Sequence, residues 1–122
     1  MIIYKFGGAS VKDAHGVKNL MNILVSRQEA GVVVLSALGK MTNHLEELTT
    51  HIHNNNRPLF DGKLSEIKGY HLDIMNDLFD EHDSVHQTVE KIFSSLQESF
   101  ELRWDHYDML YDQVVSFGEL LS

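Results

Sequence analysis

Cysteine is missing from the sequence, which excludes a disulfide scaffold and any zinc–thiolate site. No apolar run is longer than Val32 to Leu35, far too short to span a bilayer as a helix. Positive charge is scarce. Ten Lys and Arg face eighteen Asp and Glu, a net charge of −8, with a pI near 5.3. Such a chain is a poor nucleic-acid binder, because neutralising phosphates needs a surplus of Lys and Arg. An anionic membrane surface would also repel it. The opening residues, MIIYKFGGAS, lack the basic-then-apolar plan of a signal peptide, so the expected location is cytoplasmic. What is present is 122 residues with 43% hydrophobic side chains. That is the size of one ordinary domain, or of a piece of a larger one, with enough apolar material for a packed core.

Residues 2–6 (IIYKF) are β-prone and end at Gly7-Gly8. Val17, Leu20, Met21 and Leu24 then recur at helical spacing. Asp13 is suited to cap that helix and Gly31 to stop it. Residues 32–36 (VVVLS) are apolar on both faces, the pattern of a buried parallel strand. Residues 1–36 therefore predict one strand–helix–strand unit with parallel strands. A short helix is expected over 43–53, with Asn43 and Glu46 spaced as a capping box. NNNRPLFDGK holds the single proline and is the best loop candidate. Two amphipathic helices follow, one from Leu64 to Phe79 with His71 on its apolar stripe, one from Val85 to Phe100. A further helix is expected from about Trp104 to Val115. The closing GELLS reads as the first turn of another apolar helix, with no cap and no polar tail. That implies an N-terminal fragment of a larger protein.

Three segments carry the chemistry. In Lys5-Phe6-Gly7-Gly8-Ala9-Ser10 the glycines allow a sharp bend and close approach to a ligand. Their N–H groups, ahead of a helix start, suit an anion, with Lys5 beside it. The spacing is neither a Walker A loop nor a Rossmann fingerprint. The alternative is an ordinary tight turn with a solvent-facing lysine. Ser36-Ala37-Leu38-Gly39-Lys40-Met41-Thr42-Asn43 leaves the second strand at the same edge of the sheet, where ligands of parallel sheets bind. Ser36 and Thr42 are suitable donors to a carboxylate; the alternative is that Thr42 or Asn43 merely caps the next helix. Ser116-Phe117-Gly118-Glu119 fits a capping box by itself, or else Glu119 meets a substrate ammonium group. The eight histidines give the pairs His51/His53 and His82/His86. Asp83-Ser84 favours a helix start that leaves His82 outside it, no third ligand is evident, and no metal site is assigned.

KFGGAS, VVVLSALGKMTN and SFGELLS, in this order and at these distances, resemble the N-terminal part of aspartate kinase (aspartokinase) in the amino-acid-kinase superfamily. The resemblance covers the whole chain and less than half of the family's catalytic domain. It implies an α/β fold of the amino-acid-kinase (carbamate-kinase-like) type, here truncated. Residues 1–43 would form a βαβ core with phosphate and substrate loops, 44–115 a helical subdomain, and 116–122 the start of a further core helix. It implies transfer of the γ-phosphoryl group of ATP to the side-chain carboxylate of L-aspartate, the first step toward lysine, threonine and methionine. Mg2+ would be held through the nucleotide, with no protein ligand in these residues. Carried over by position, Lys5 would hold the transferring phosphoryl group. Gly7, Gly8 and Ser10 would complete the phosphate site. Ser36, Thr42 and Glu119 would bind aspartate. A homo-oligomer is expected. Ala9 departs from the family's usual threonine, and Lys40 stands where many members have a small or neutral residue. The family's nucleotide-binding remainder would lie beyond Ser122, so the fragment itself is expected to be inactive. The rivals are a glutamate or N-acetylglutamate kinase, which Glu119 and the long helical stretch argue against; the kinase part of a bifunctional aspartokinase–homoserine dehydrogenase; and a non-catalytic helical binding module.

Overall fold

The computed structural model describes residues 2–102 and 107–122. Strands β1 (Ile2–Phe6) and β2 (Gly31–Leu35) pair in parallel, in register from Ile2↔Gly31 to Phe6↔Leu35. Helix α1 (Ala14–Ser26) joins them, after a single 3-10 turn over Gly8–Val11. Asp13 caps α1 as its side chain suggests, accepting the Gly16 N–H at 2.8 Å. The helix stops at Ser26, earlier than Gly31, which instead opens β2. Ala14 and Leu20 are buried against Val11, Leu38 and Ile74, with Phe6, Val17, Leu24 and Leu35 packed around them. Met21, on the expected stripe, is 53% exposed.

β2 runs parallel as expected, with its valines uncovered. Val32, Val33 and Val34 are 47%, 41% and 43% exposed. Their apolar character on both faces is that of a central strand. β1 is its only strand partner among the described residues, so one edge and part of both faces stay open.

The remaining helices are α2 (Met41–His53), α3 (Arg57–Leu78), α4 (Val85–Glu98), α5 (Tyr107–Val115) and α6 (Phe117–Leu121). The expected capping box at Asn43 and Glu46 does not form. α2 starts two residues earlier, at Met41, behind Lys40. Asn43 therefore falls inside the first turn, and Glu46 accepts the Tyr111 hydroxyl at 2.6 Å instead. Most of the expected loop NNNRPLFDGK is also helix, because Pro58 sits in the first turn of α3, where its missing N–H costs nothing. Asn56 caps that turn by accepting the Leu59 N–H at 3.2 Å. Before α4, Asp83 accepts the Val85 N–H at 2.9 Å and leaves His82 outside the helix, as its sequence implies. The expected helix start at Trp104 lies outside the described residues.

The inner face of α2 forms the middle of the helical core. Leu45 and Leu48 have no exposed surface, and Phe60, Ile67, Phe93, Leu96, Leu110 and Val114 close around them. Truncating one such side chain to alanine costs about 2–5 kcal/mol, against a typical total of about 5–15 kcal/mol. Exposed, solvent-screened pairs such as Arg57–Glu101 and Lys68–Glu90 contribute little beside that.

His71 is 3% exposed, edge-on to Tyr70 and Phe93. Its Nδ1 lies 2.9 Å from the Ile67 carbonyl. A carbonyl only accepts, so the proton sits on Nδ1 and Nε2 is left as an acceptor. Burial lowers the imidazole pKa, and the Ile67 carbonyl opposes this less strongly. The unfolded chain therefore takes up the proton first as pH falls. Stability is complete above the ordinary imidazole value, about 6.5, and declines below it. We expect the urea midpoint to drop between about pH 7.5 and pH 5. His71→Phe should flatten the decline relative to the parent chain; equal pH dependence in both would contradict the assignment.

Candidate functional site

The two glycine-bearing loops leave the carboxyl ends of β1 and β2 and meet. Ser36 N–H donates to the Phe6 carbonyl at 3.1 Å, carrying the strand ladder one step further. Gly39 N–H then donates to the Gly8 carbonyl at 3.0 Å. The contact is backbone on backbone. A Cβ on Gly8 would overlap the Gly39 carbonyl oxygen and stand 2.9 Å from that of Ala37. Gly39 has φ +55°, the left-handed region, and a Cβ there would lie 2.6 Å from the Tyr70 hydroxyl oxygen. Gly7 is different. At φ −81°, ψ 171° it is ordinary extended chain, with nothing within 4 Å of a built Cβ. Of the two glycines that look alike in the sequence, only Gly8 is required by close approach.

The third segment comes to the same place. Phe117 and Gly118 are buried, and Gly118 lies against the second loop, with a built Cβ 2.9 Å from Ala37 Cβ and 3.2 Å from Leu45 Cδ1. Ser116 makes no capping box. It is helical in backbone, and its hydroxyl donates to the Gln113 carbonyl at 2.8 Å. Glu119 is thus free of the capping role and stands exposed in the first turn of α6.

Lys5 is exposed on β1, opposite Val34, and makes no ion pair among the described residues. Ser10 is exposed in the 3-10 turn, its N–H on the Gly7 carbonyl at 3.0 Å. Ser36 is half-buried, and Thr42 is exposed in the first turn of α2. Where the loops meet there is an open depression of about 430 Å³, walled in part by Lys12, Lys40, Asp13, His44 and Tyr70. None of Lys5, Gly7, Gly8, Ser10, Ser36, Thr42 and Glu119 lines it. The cations there outnumber the single carboxylate, in a chain whose net charge is −8.

Two residues that sequence reasoning passed over join this geometry. Gly39 makes the left-handed bend; its signal was a glycine in the short loop between β2 and α2. Tyr70 is on α3, yet its hydroxyl donates to the Lys12 carbonyl and abuts Gly39. Burial, and after it the Asp13 carboxylate, raise its pKa, which keeps the phenol a donor. Nothing local to residue 70 announces that contact, which spans 58 positions.

The amino acid kinase family matches residues 1–122. The chain is similar to two Arabidopsis thaliana proteins. It is 34% identical to aspartokinase 2, chloroplastic, over 98% of its own length and 22% of that protein. It is 30% identical to aspartokinase 1, chloroplastic, over 98% and 21%. Its fold is similar to E. coli aspartokinase III in complex with aspartate and ADP, with a TM-score of 0.85, 27% identity, and coverage of 99% of this chain and 26% of that one. The chain thus spans about a fifth to a quarter of the length of the relatives it matches.

The glycine geometry separates two substitutions. Gly8→Ala must push the loops apart and should cost about 2 kcal/mol or more. Gly7→Ala meets no atom and restricts the unfolded chain, so it should be neutral or stabilise by up to about 1 kcal/mol. Urea titration of both variants checks this; similar losses at the two positions would contradict the loop contact.

Proposed function

Because the chain belongs to the amino acid kinase family, we propose that it forms the phosphate- and aspartate-binding part of an aspartokinase. The reaction would transfer the γ-phosphoryl group of ATP to the side-chain carboxylate of L-aspartate, at the start of lysine, threonine and methionine synthesis. The observation that carries the reading is the meeting of three segments distant in sequence, through Gly8 with Gly39 and Gly118 with Ala37. The same three segments carry the resemblance. Phosphoryl transfer to a carboxylate asks for little covalent help and much charge stabilisation, since an anion must approach an anion.

In this reading Lys5 neutralises the transferring group, and Gly7, Gly8 and Ser10 offer N–H and hydroxyl donors to the same oxygens. Ser36 and Thr42 receive the aspartate carboxylate, and Glu119 receives its ammonium group. Residues 1–43 serve as the ligand-bearing core, 44–115 as a helical subdomain, and 116–122 as the start of a core helix. Among the described residues no three His, Asp or Glu side chains are placed to hold a metal ion. Mg2+ is assigned, on the resemblance alone, to the nucleotide phosphates, where it would neutralise charge on the transferring group. Adenine binding is assigned to residues outside this chain, and the 122-residue chain alone is proposed to be inactive. No helix of the described residues is long and apolar enough to cross a membrane. A cytoplasmic location is part of the proposal.

The test uses the enzyme that carries this segment, with MgATP and hydroxylamine to trap the acyl phosphate. Hydroxamate should form with aspartate and not with glutamate or N-acetylglutamate. Lys5→Ala should lower kcat by roughly 10²-fold or more, the scale for losing one donor to a developing anion. The KM for aspartate should change much less. Lys5→Arg should rescue only in part, since a planar fork replaces a compact charge. A kcat within about twofold of the parent would make Lys5 an ordinary surface residue.

The reading includes a homo-oligomer. Ile3 is 70% exposed beside the open valines of β2, and an uncovered apolar strand pairs readily with another chain. The 122-residue chain should sediment with a mass that rises with concentration; a constant monomer mass would contradict self-association.

A further inference from the structure

A cavity of about 160 Å³ lies between the βαβ unit and the helices. Its wall takes Val17 from α1, Leu38 from the second loop, Ile74 from α3, Val89 from α4 and Leu121 from α6. Two polar side chains join them, His71 and Ser122. Ser122 is committed, its hydroxyl donating to the Glu119 carbonyl at 2.9 Å. His71 is not. Its Nε2 is buried and has no hydrogen-bond partner among the described residues. With Nδ1 donating to the Ile67 carbonyl, Nε2 offers a lone pair and no proton.

We propose that this cavity is a binding site for a small neutral molecule with an apolar body and one hydroxyl group, which donates to His71 Nε2. Apolar cavities of about 150 Å³ admit benzene-sized molecules. The walls reward an apolar body, and the single buried acceptor selects a donor. A carboxylate is rejected, because the neutral imidazole has no proton to give it there and burial opposes forming the cation. An ammonium group is disfavoured by the cost of leaving water, with no Asp or Glu side chain on the wall to offset it. Leu38 lies between Ser36 and Gly39, so an occupant also touches the loop that meets Gly8.

The probes are phenol and toluene, nearly equal in shape and different in the hydroxyl. The full 122-residue chain is titrated at about pH 7.5 and followed by NMR at the His71 ring nitrogens and at the methyls of Leu38, Val89 and Leu121. Phenol has about seven non-hydrogen atoms, which places its Kd on the order of 1 mM. The expected result is a saturable shift at Nε2 and at all three methyls with phenol, and binding of toluene weaker by about tenfold. His71→Phe should abolish the preference for phenol. Toluene binding as tightly as phenol, or phenol shifting none of these signals, would overturn the proposal. So would a phenol preference that survives His71→Phe. If that variant does not fold, the phenol–toluene comparison on the parent chain decides alone.

Discussion

The contact between Gly8 and Gly39 governs the geometry of the loops at the carboxyl ends of the strands. A single N–H···O=C bond of 3.0 Å ties the loop after β1 to the loop after β2. Atoms there approach so closely that a single methyl group would have no room. Parallel strands splay their connections to opposite sides, and a ligand site forms only where two such connections are held at a fixed separation. Here the separation is set by backbone, which has no rotamers to lose and cannot retreat. The early start of α2 follows from the same bend. With Gly39 left-handed, Met41 turns directly inward, to 1% exposure, and the helix begins before the polar residues that would have capped it.

Charge placement follows a similar economy. At −8 overall, the chain's long-range field repels anions, and screening over about 8–10 Å at physiological salt mutes that field. Local placement decides the outcome. Lys12 and Lys40 reach the depression through backbone that the glycine contact fixes. The acidic residues concentrate elsewhere, as at Asp77, Asp80, Glu81 and Asp83 around the junction of α3 and α4. A net-negative chain and a locally cationic depression are therefore compatible.

What was legible in the sequence was what depends on neighbours in the chain. Asp13 caps α1 because an extended Asp three residues ahead of a free N–H has one good partner. The stripe from Leu64 to Phe79 places His71 on a buried face because helical periodicity alone fixes the side. Misreadings arose where composition stood in for geometry. Asn and Pro around residue 56 look like a loop, yet Asn56 caps and Pro58 occupies the one turn that accepts it. The valines of β2 spell a central strand, but burial is a property of neighbours, and β1 is the only strand neighbour described. Gly7 and Gly8 are identical letters; only the position of the Gly39 carbonyl distinguishes them. No local pattern contains that atom, nor the hydroxyl of Tyr70.

Tyr70 and His71 show why the helices cannot be treated as an independent module. Adjacent residues of an α-helix point about 100° apart, so α3 presents one ring to each of two neighbours. Tyr70 reaches the Lys12 carbonyl and Gly39 at the two loops. His71 turns into the helical core beside Phe93. The two rings touch edge to face, with centroids 5.4 Å apart, so neither can shift without meeting the other. Ile74, one turn further along, is buried in the cluster of the βαβ unit, while Met75 beside it belongs to the helical cluster. One helix thus closes both cores. A free-standing helical binder would have no use for a tyrosine hydroxyl spent on a loop carbonyl or for a left-handed glycine packed beneath it. Two loops held at a fixed separation use both.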